Sequence, residues 1–429
     1  MILSENLHRH VAYLTEEIGV RLAGSEQEKQ AAEYIKARML EYVPDCLIET
    51  FPVNCCKVEK EELSALVDGQ WKKYDTILFN GAPGTGGKTI ETELVYFDAH
   101  QDYQRKDISF VSGKAVIHWG LSFGSEENYR RMMEAKPACL LMVDTRYTSQ
   151  IPLGDGMFPA YVKAHGAIPT VNVAFFDAWE LCSKKAEKIR LNVEGEAVPA
   201  VSYNVIATIP GTLEEPLCFY AGGHLDTQSR TVGADDNAIG CAVMVELARV
   251  LSQKKLRHTV KLIAFGAEEQ LSAGSSAYVR RHREEVEKYG RFMWNFDSCA
   301  SAVGWNNFWI NVNDTLHRAL TDCYHEHDVY YNEIRGAEPT IDLFPLTACG
   351  VPGISMHRRN CETGTFFHHR PANALENIST DVAAQIANAA LDLIERLDKE
   401  EYDDKFSIDP DLVQAVKDGW EGTFGGWEG

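Results

Sequence analysis

The 429-residue sequence has no C-x-x-C pair, no long apolar run and no surplus of positive charge. Its eleven cysteines are odd in number and scattered, with Cys55 and Cys56 the one adjacent pair, so a disulfide framework is not indicated. No stretch approaches the roughly 18 consecutive apolar residues of a membrane span. The opening MILSENLHRHVAYLTEE brings carboxylates early and no apolar h-region, unlike a signal peptide. A reduced, cytoplasmic protein is the expectation. Lys and Arg number 42 against 63 Asp and Glu, a net charge of −21, which argues against nucleic acid and against an anionic membrane surface as partners.

What remains is an ordinary globular composition, 45% hydrophobic and 24% charged, on a chain long enough for two domains. Residues 3–43 read as helical, interrupted at VRLAGSEQ, where Gly24-Ser25 supplies a stop and a new cap. From about 52 to 200 the texture is β-rich, with TILFN, ELVYF, KAVIHW, ACLLMVD and IPTVNVA and few long helices. After Asn204, strands alternate with helices (PLCFYAGG, DDNAIGCAVMVELARVLSQ, HTVKLIAFG, SAYVRRHREEVEKY, RFMWNFD), the pattern of a largely parallel sheet wrapped by helices. The end, DGWEGTFGGWEG, reads as an exposed Gly-rich tail.

Two motifs point elsewhere. Ala82–Thr89 (APGTGGKT) fits a relaxed phosphate loop, but the β-rich TIETELVYF follows where a helix N-terminus is required. Gly120-Leu-Ser122-Phe-Gly124 follows a strand-like run and precedes a helix-like one, the setting of a nucleophile elbow, so a serine hydrolase using Ser122 is a second hypothesis. A turn in a β-rich domain accounts for those glycines equally well.

The chemistry-bearing residues cluster after predicted strands of the alternating half, where open α/β sheets build their sites. PLCFYAGG is followed by His224 and Asp226, a spacing that lets a carboxylate fix the tautomer of a ligating imidazole. Asp235 and Asp236 open a helix with a buried body; as a pair they are ordinary caps, or repelling charges that a cation neutralises. Glu268-Glu269 directly follows an apolar strand, where uncompensated charge costs several kcal/mol. Asp297 ends the fourth strand, and His368-His369 follow two phenylalanines. Imidazole mixed with carboxylate oxygen suits zinc, manganese or cobalt, and the lack of cysteine ligands speaks against a purely structural zinc.

These residues resemble the co-catalytic zinc aminopeptidases related to aminopeptidase Y, glutamate carboxypeptidase and the transferrin receptor ectodomain. The likeness rests on TEEIGVRLAGSEQEKQAAEYIKARM, then GGHLDTQ, GADDNAIG, FGAEEQLSAGS, NFD and HHRPANALENI in order, over about 10–50 and 200–400. It implies a three-layer αβα domain on a mostly parallel mixed sheet, built from 1–55 and 199–405. It also implies an inserted protease-associated domain over 56–198 and leaves 406–429 as a tail. By this resemblance two Zn2+ ions (Mn2+ or Co2+ being alternatives) are held by His224, Asp235, Glu269, Asp297 and His369. Asp235 bridges them, Asp226 orients His224, and Glu268 is the general base for peptide hydrolysis, most naturally at a free N-terminus. The peptide bond between Asp235 and Asp236 is expected to be cis.

The sequence departs from the family where His369-Arg-Pro-Ala-Asn373 replaces His-Thr-Pro-x-Asp, and His369 is preferred over His368 because PANALENI then aligns without a gap. Ile239 stands where a small residue is common. The basic segment around Arg358 and Arg359 lies where the family builds its substrate pocket, which suggests contact with a substrate carboxylate. A glutaminyl cyclase-like acyltransferase or a non-catalytic binding protein on the same fold would lack part of this ligand set. The partner expected is a peptide substrate; the sequence leaves oligomeric state open, a homo-oligomer included.

Overall fold

The computed structural model describes residues 1–337, 340–399 and 406–428. The chain divides into two compact units, 1–53 with 200–429, and 54–199. The expected boundary between catalytic domain and tail falls at residue 405, outside the described residues.

In the first unit the central strand Cys218–His224 lies between Thr259–Phe265 and Gly290–Phe296, parallel to both. Gly353–Arg359 continues the parallel set beside Gly290–Phe296. Trp305–Asn311 then pairs antiparallel with Gly353–Arg359 and parallel with Tyr331–Ile334. On the other edge, residues 205–209 pair antiparallel with Thr259–Phe265.

Side chains of a strand alternate between faces, and the cores follow that alternation. Phe219 and Ala221 join a core with the helices Ser4–Ala12, Glu26–Leu40, Ile239–Leu251, Asp314–Glu326 and Thr380–Asp398. Cys218 and Tyr220 face a second core with Ala273–Arg281, Leu343–Ala348 and Pro410–Phe424. The fold is therefore the three-layer α/β arrangement expected. The helix that opens after the Gly24-Ser25 break is capped as read, with Ser25 Oγ accepting the Glu28 N–H at 3.2 Å.

The C-terminal segment corrects the sequence reading. Pro410–Phe424 is a helix with Asp409 accepting the Asp411 N–H at its start. Leu412, Val416 and Trp420 recur at four-residue spacing along one stripe, which faces the core. Trp420 is fully buried, meets Phe344 and Trp427 edge-on, and donates its indole N–H to Ser276 Oγ. The glycines obscured that period.

The second unit holds more helix than its β-rich texture suggested. Ile90–Asp98, Ala115–Trp119, Cys139–Val143 and Thr170–Val173 pair parallel in sequence order, with Thr76–Leu78 antiparallel at the end. The helices Glu126–Ala135, Pro159–His165 and Phe175–Ser183 alternate with these strands. Cys46–Val67, whose residues after Val53 belong to this unit, turns back into Gln70–Tyr74 through Asp68-Gly69. Both turn residues have positive φ (50° and 75°), the geometry that a two-residue hairpin demands of Asp-Gly. Residues 82–89 form an irregular loop ahead of Ile90–Asp98 rather than a phosphate-binding helix start.

Candidate active site

His224 is the last residue of its strand and lies wholly buried. Its Nδ1 lies 3.1 Å from the Asp226 carbonyl and 3.5 Å from the Asp226 carboxylate. A proton held on Nδ1 leaves Nε2 as a lone pair, the state that a metal-binding imidazole requires. That Nε2 lies 3.0 Å from Asp236 Oδ1, 3.7 Å from Asp297 Oδ1 and 3.9 Å from Glu268 Oε2.

The other oxygen of Asp236 faces the histidine pair, at 3.5 Å from His369 Nε2 and 3.6 Å from His368 Nδ1. His369 Nε2 also lies 2.9 Å from Glu269 Oε2, and the two imidazoles stack with centroids 3.6 Å apart. Asp236 thus stands between two donor groups, His224 with Asp297 on one side and His369 with Glu269 on the other.

The structure corrects the assignment of Asp235. Its Oδ1 accepts the Ala300 N–H at 2.6 Å, its backbone N–H donates to Asn373 Oδ1, and neither contact involves His224 or His369. Asp236 has an extended backbone (φ −124°, ψ 82°), and in extended chain neighbouring side chains point in opposite directions. The cis peptide bond likewise joins Asp236 to Asn237 and not Asp235 to Asp236.

Local sequence explains how Asp236 reaches this place. Asn237 accepts the Gly240 N–H and donates to the Phe296 carbonyl, tying the start of Ile239–Leu251 to the strand that delivers Asp297. Gly240 is required there, since an added Cβ would lie 2.4 Å from that same carbonyl oxygen. On the facing strand end, Asp226 accepts the N–H groups of Glu268 (2.8 Å) and Glu269 (3.1 Å), fixing base candidate and ligand candidate together. Ala267, Ser298 and His369 all adopt left-handed φ of 51–52°, and such strain collects at functional sites.

Electrostatically the site concentrates buried carboxylates. Burial raises the Glu268 carboxyl well above its usual range and Glu269 to about 7; Asp235 is pushed to about 8. Burial would lower the His224 pKa, but the charge of Glu268 and bonds to Asp226, Asp236 and Asp297 raise it well above the ordinary value. Asp297 is held low despite burial by its contact with His224. Glu269 Oε1 and Asp235 Oδ2 are buried without a hydrogen-bond partner among the described residues. Divalent metal fits this donor set of imidazole and carboxylate oxygen, and would satisfy such a buried oxygen.

Arg358 does not reach this cluster: its Nε donates to the Ser301 carbonyl and Nη1 to Asn306 Oδ1. Arg359 donates to the Glu362 carbonyl at a more exposed position. Ser122 is exposed and its Oγ accepts the Gly124 N–H; His118, four residues before it, engages Gly120 and Tyr103 through its two ring nitrogens. No triad forms there among the described residues. Sequence reasoning also missed Asp342, buried on Ser275 at 2.5 Å with its carboxyl raised to about 7 by burial. No period or motif marked it.

Residues 204–394, which carry every ligand candidate, match Peptidase family M28. Aminopeptidase YwaD of Bacillus subtilis is 24% identical over 396 residues, covering 88% of this chain and 81% of that protein. Carboxypeptidase Q of Rattus norvegicus is 22% identical over 417 residues, 91% of this chain and 86% of its own. The fold of this chain also superposes on BSAP, a zinc aminopeptidase from Bacillus subtilis, with a TM-score of 0.76 at 20% identity over 96% of this chain and 99% of that one. No helix among the described residues is long and apolar enough to cross a membrane.

Proposed function

We propose that this chain is a zinc-dependent aminopeptidase that holds two metal ions and removes residues from the N-termini of peptides. The observation that carries the proposal is the Asp236 carboxylate, which offers one oxygen to the His224 side and the other to the His369 side. His224 and Asp297 would complete one site, Glu269 and His369 the other, with Asp236 shared and His368 the nearest substitute for His369. When bound, the ions supply Lewis acidity toward the scissile carbonyl and lower the pKa of a water.

Glu268 is the general base. Buried beside the ligands and held through its own backbone N–H by Asp226, its carboxylate takes a proton as the water attacks and returns it to the departing amine. Asp226 keeps the His224 imidazole in the Nδ1–H tautomer. The 54–199 unit is assigned the role of a protease-associated domain.

The names of YwaD and BSAP favour release from the N-terminus, and that of carboxypeptidase Q supports a second reading in which a free C-terminal carboxylate is read instead. Peptides blocked at either end, followed by mass spectrometry with and without chelator, separate the two. Stepwise N-terminal loss, stopped by chelator and restored by zinc, is the expected result. Loss from the C-terminus would replace the aminopeptidase reading, and chelator-insensitive cleavage would remove the metal.

A further inference from the structure

Resting on the two-zinc reading, we infer that Arg21 is a positioning residue whose guanidinium sets the spacing of the loops that carry His224 and Asp236. Arg21 lies far outside the 204–394 match, in the turn between the two N-terminal helices, yet its side chain is fully buried. Its Nε donates to the Leu225 carbonyl at 2.8 Å, between His224 and Asp226. Nη1 donates to the Val232 carbonyl at 2.8 Å and Nη2 to Gly233 at 3.2 Å, on the loop leading into Asp235-Asp236. The remaining bonds, from Nη1 to Leu14 and Gly19, tie the fork to its own segment.

The backbone completes the clamp. The Arg21 N–H donates to Thr227 Oγ1 at 3.0 Å and the Thr227 N–H donates to the Arg21 carbonyl at 3.2 Å, so the His224–Thr227 loop is held at both ends. A fully buried cation bonded to carbonyl oxygens is costly, and burial lowers this guanidinium to about 10, with Asp226, Asp236 and Glu269 opposing the change. The carbonyl oxygens of Leu14, Gly19, Leu225, Val232 and Gly233 are the groups that accept from it in this place. Only a planar fork spans carbonyls on two loops at once; the compact ammonium of lysine donates from a single point.

Glu28, from the following helix, treats the third loop in the same manner. It is fully buried, accepts from Gly24 and from Ser202 Oγ, and receives the Ala267 N–H at 3.3 Å immediately before Glu268. The N-terminal segment thus grips three of the five ligand loops, those of His224, Asp236 and Glu269, from behind.

The test uses the full chain with Arg21→Lys, compared with the unchanged protein at a temperature where both metal-free forms are folded. Zinc affinity is read by competition with a chromophoric chelator, and cobalt-substituted protein reports ligand geometry through its visible absorption. The expected result is a loss of about 10–100-fold in affinity for at least one ion, the range for outer partners of metal ligands, with a shifted cobalt band. Unchanged affinity and spectrum, with only a lower melting temperature, would overturn the inference. Should Arg21→Lys not fold, Thr227→Val removes the acceptor of the Arg21 N–H at conserved shape. A several-fold loss is expected there, and wild-type affinity would overturn the inference. If the unchanged protein takes up no zinc at all, the two-zinc reading itself fails.

Discussion

His224 Nε2 and Asp236 Oδ1 meet at 3.0 Å, joining the end of one strand to the turn that opens the next helix. Asp297 lies within reach of His224, His368 and His369 lie within reach of the second Asp236 oxygen, and Glu269 joins through His369.

Glu268 Oε2 lies 3.9 Å from His224 Nε2, beside the proposed ligands, where the proposed base would stand. Glu268→Gln is expected to lower kcat by about 10²–10⁴-fold while zinc content stays at the wild-type value. Initial rates combined with metal analysis check this; loss of zinc would reassign Glu268 as a ligand.

Arg358 is engaged with Ser301 and Asn306, whereas Arg359 spends one donor on a surface carbonyl. Of the two, Arg359 is the one expected to meet a substrate carboxylate. Arg359→Ala should raise KM for peptides with acidic side chains several-fold relative to neutral ones. An unchanged ratio of kcat/KM between the two peptide classes would end that role.

His118 in the second unit is buried, and burial lowers its pKa to about 4 from 6.5. The unfolded chain therefore binds a proton below about pH 6.5 that the folded chain refuses until about pH 4, so stability is lost as pH falls through that window. The full shift corresponds to about 3 kcal/mol. Denaturant titrations at neutral and mildly acidic pH should show a steep loss in the native protein and a shallower one in His118→Phe; parallel losses would contradict the assignment.

Trp420 closes the core under Phe344. Trp420→Ala is expected to destabilise the protein by about 3–5 kcal/mol, the usual cost of a large cavity. Thermal unfolding measures it, and a change below about 1 kcal/mol would mean that the C-terminal helix is dispensable.

The legible parts of the fold were those with a clean period. The strand PLCFYAGG and the helix CAVMVELARVL announce a buried sheet and its cover, and acidic groups just past strand ends announce a site. Within Asp235-Asp236-Asn237 the sequence offers no period, and which carboxylate faces inward depends on backbone angles set by Asn237 and Gly240 packing on Phe296. Arg21 was hidden for a different cause: its partners on the ligand loops are carbonyl oxygens more than 200 residues away, and carbonyls leave no signature in sequence. Asp342 meets Ser275 through tertiary packing alone.

The most direct test is to measure zinc per chain in the unchanged protein, Asp236→Ala and Asp235→Asn by elemental analysis after equilibration at a fixed free-zinc concentration. Two ions in the unchanged protein, loss at both positions in Asp236→Ala, and near-complete retention in Asp235→Asn are predicted, because the asparagine oxygen can still accept from Ala300. Retention of both ions without the Asp236 carboxylate, or their loss on changing Asp235, would contradict a centre bridged by Asp236.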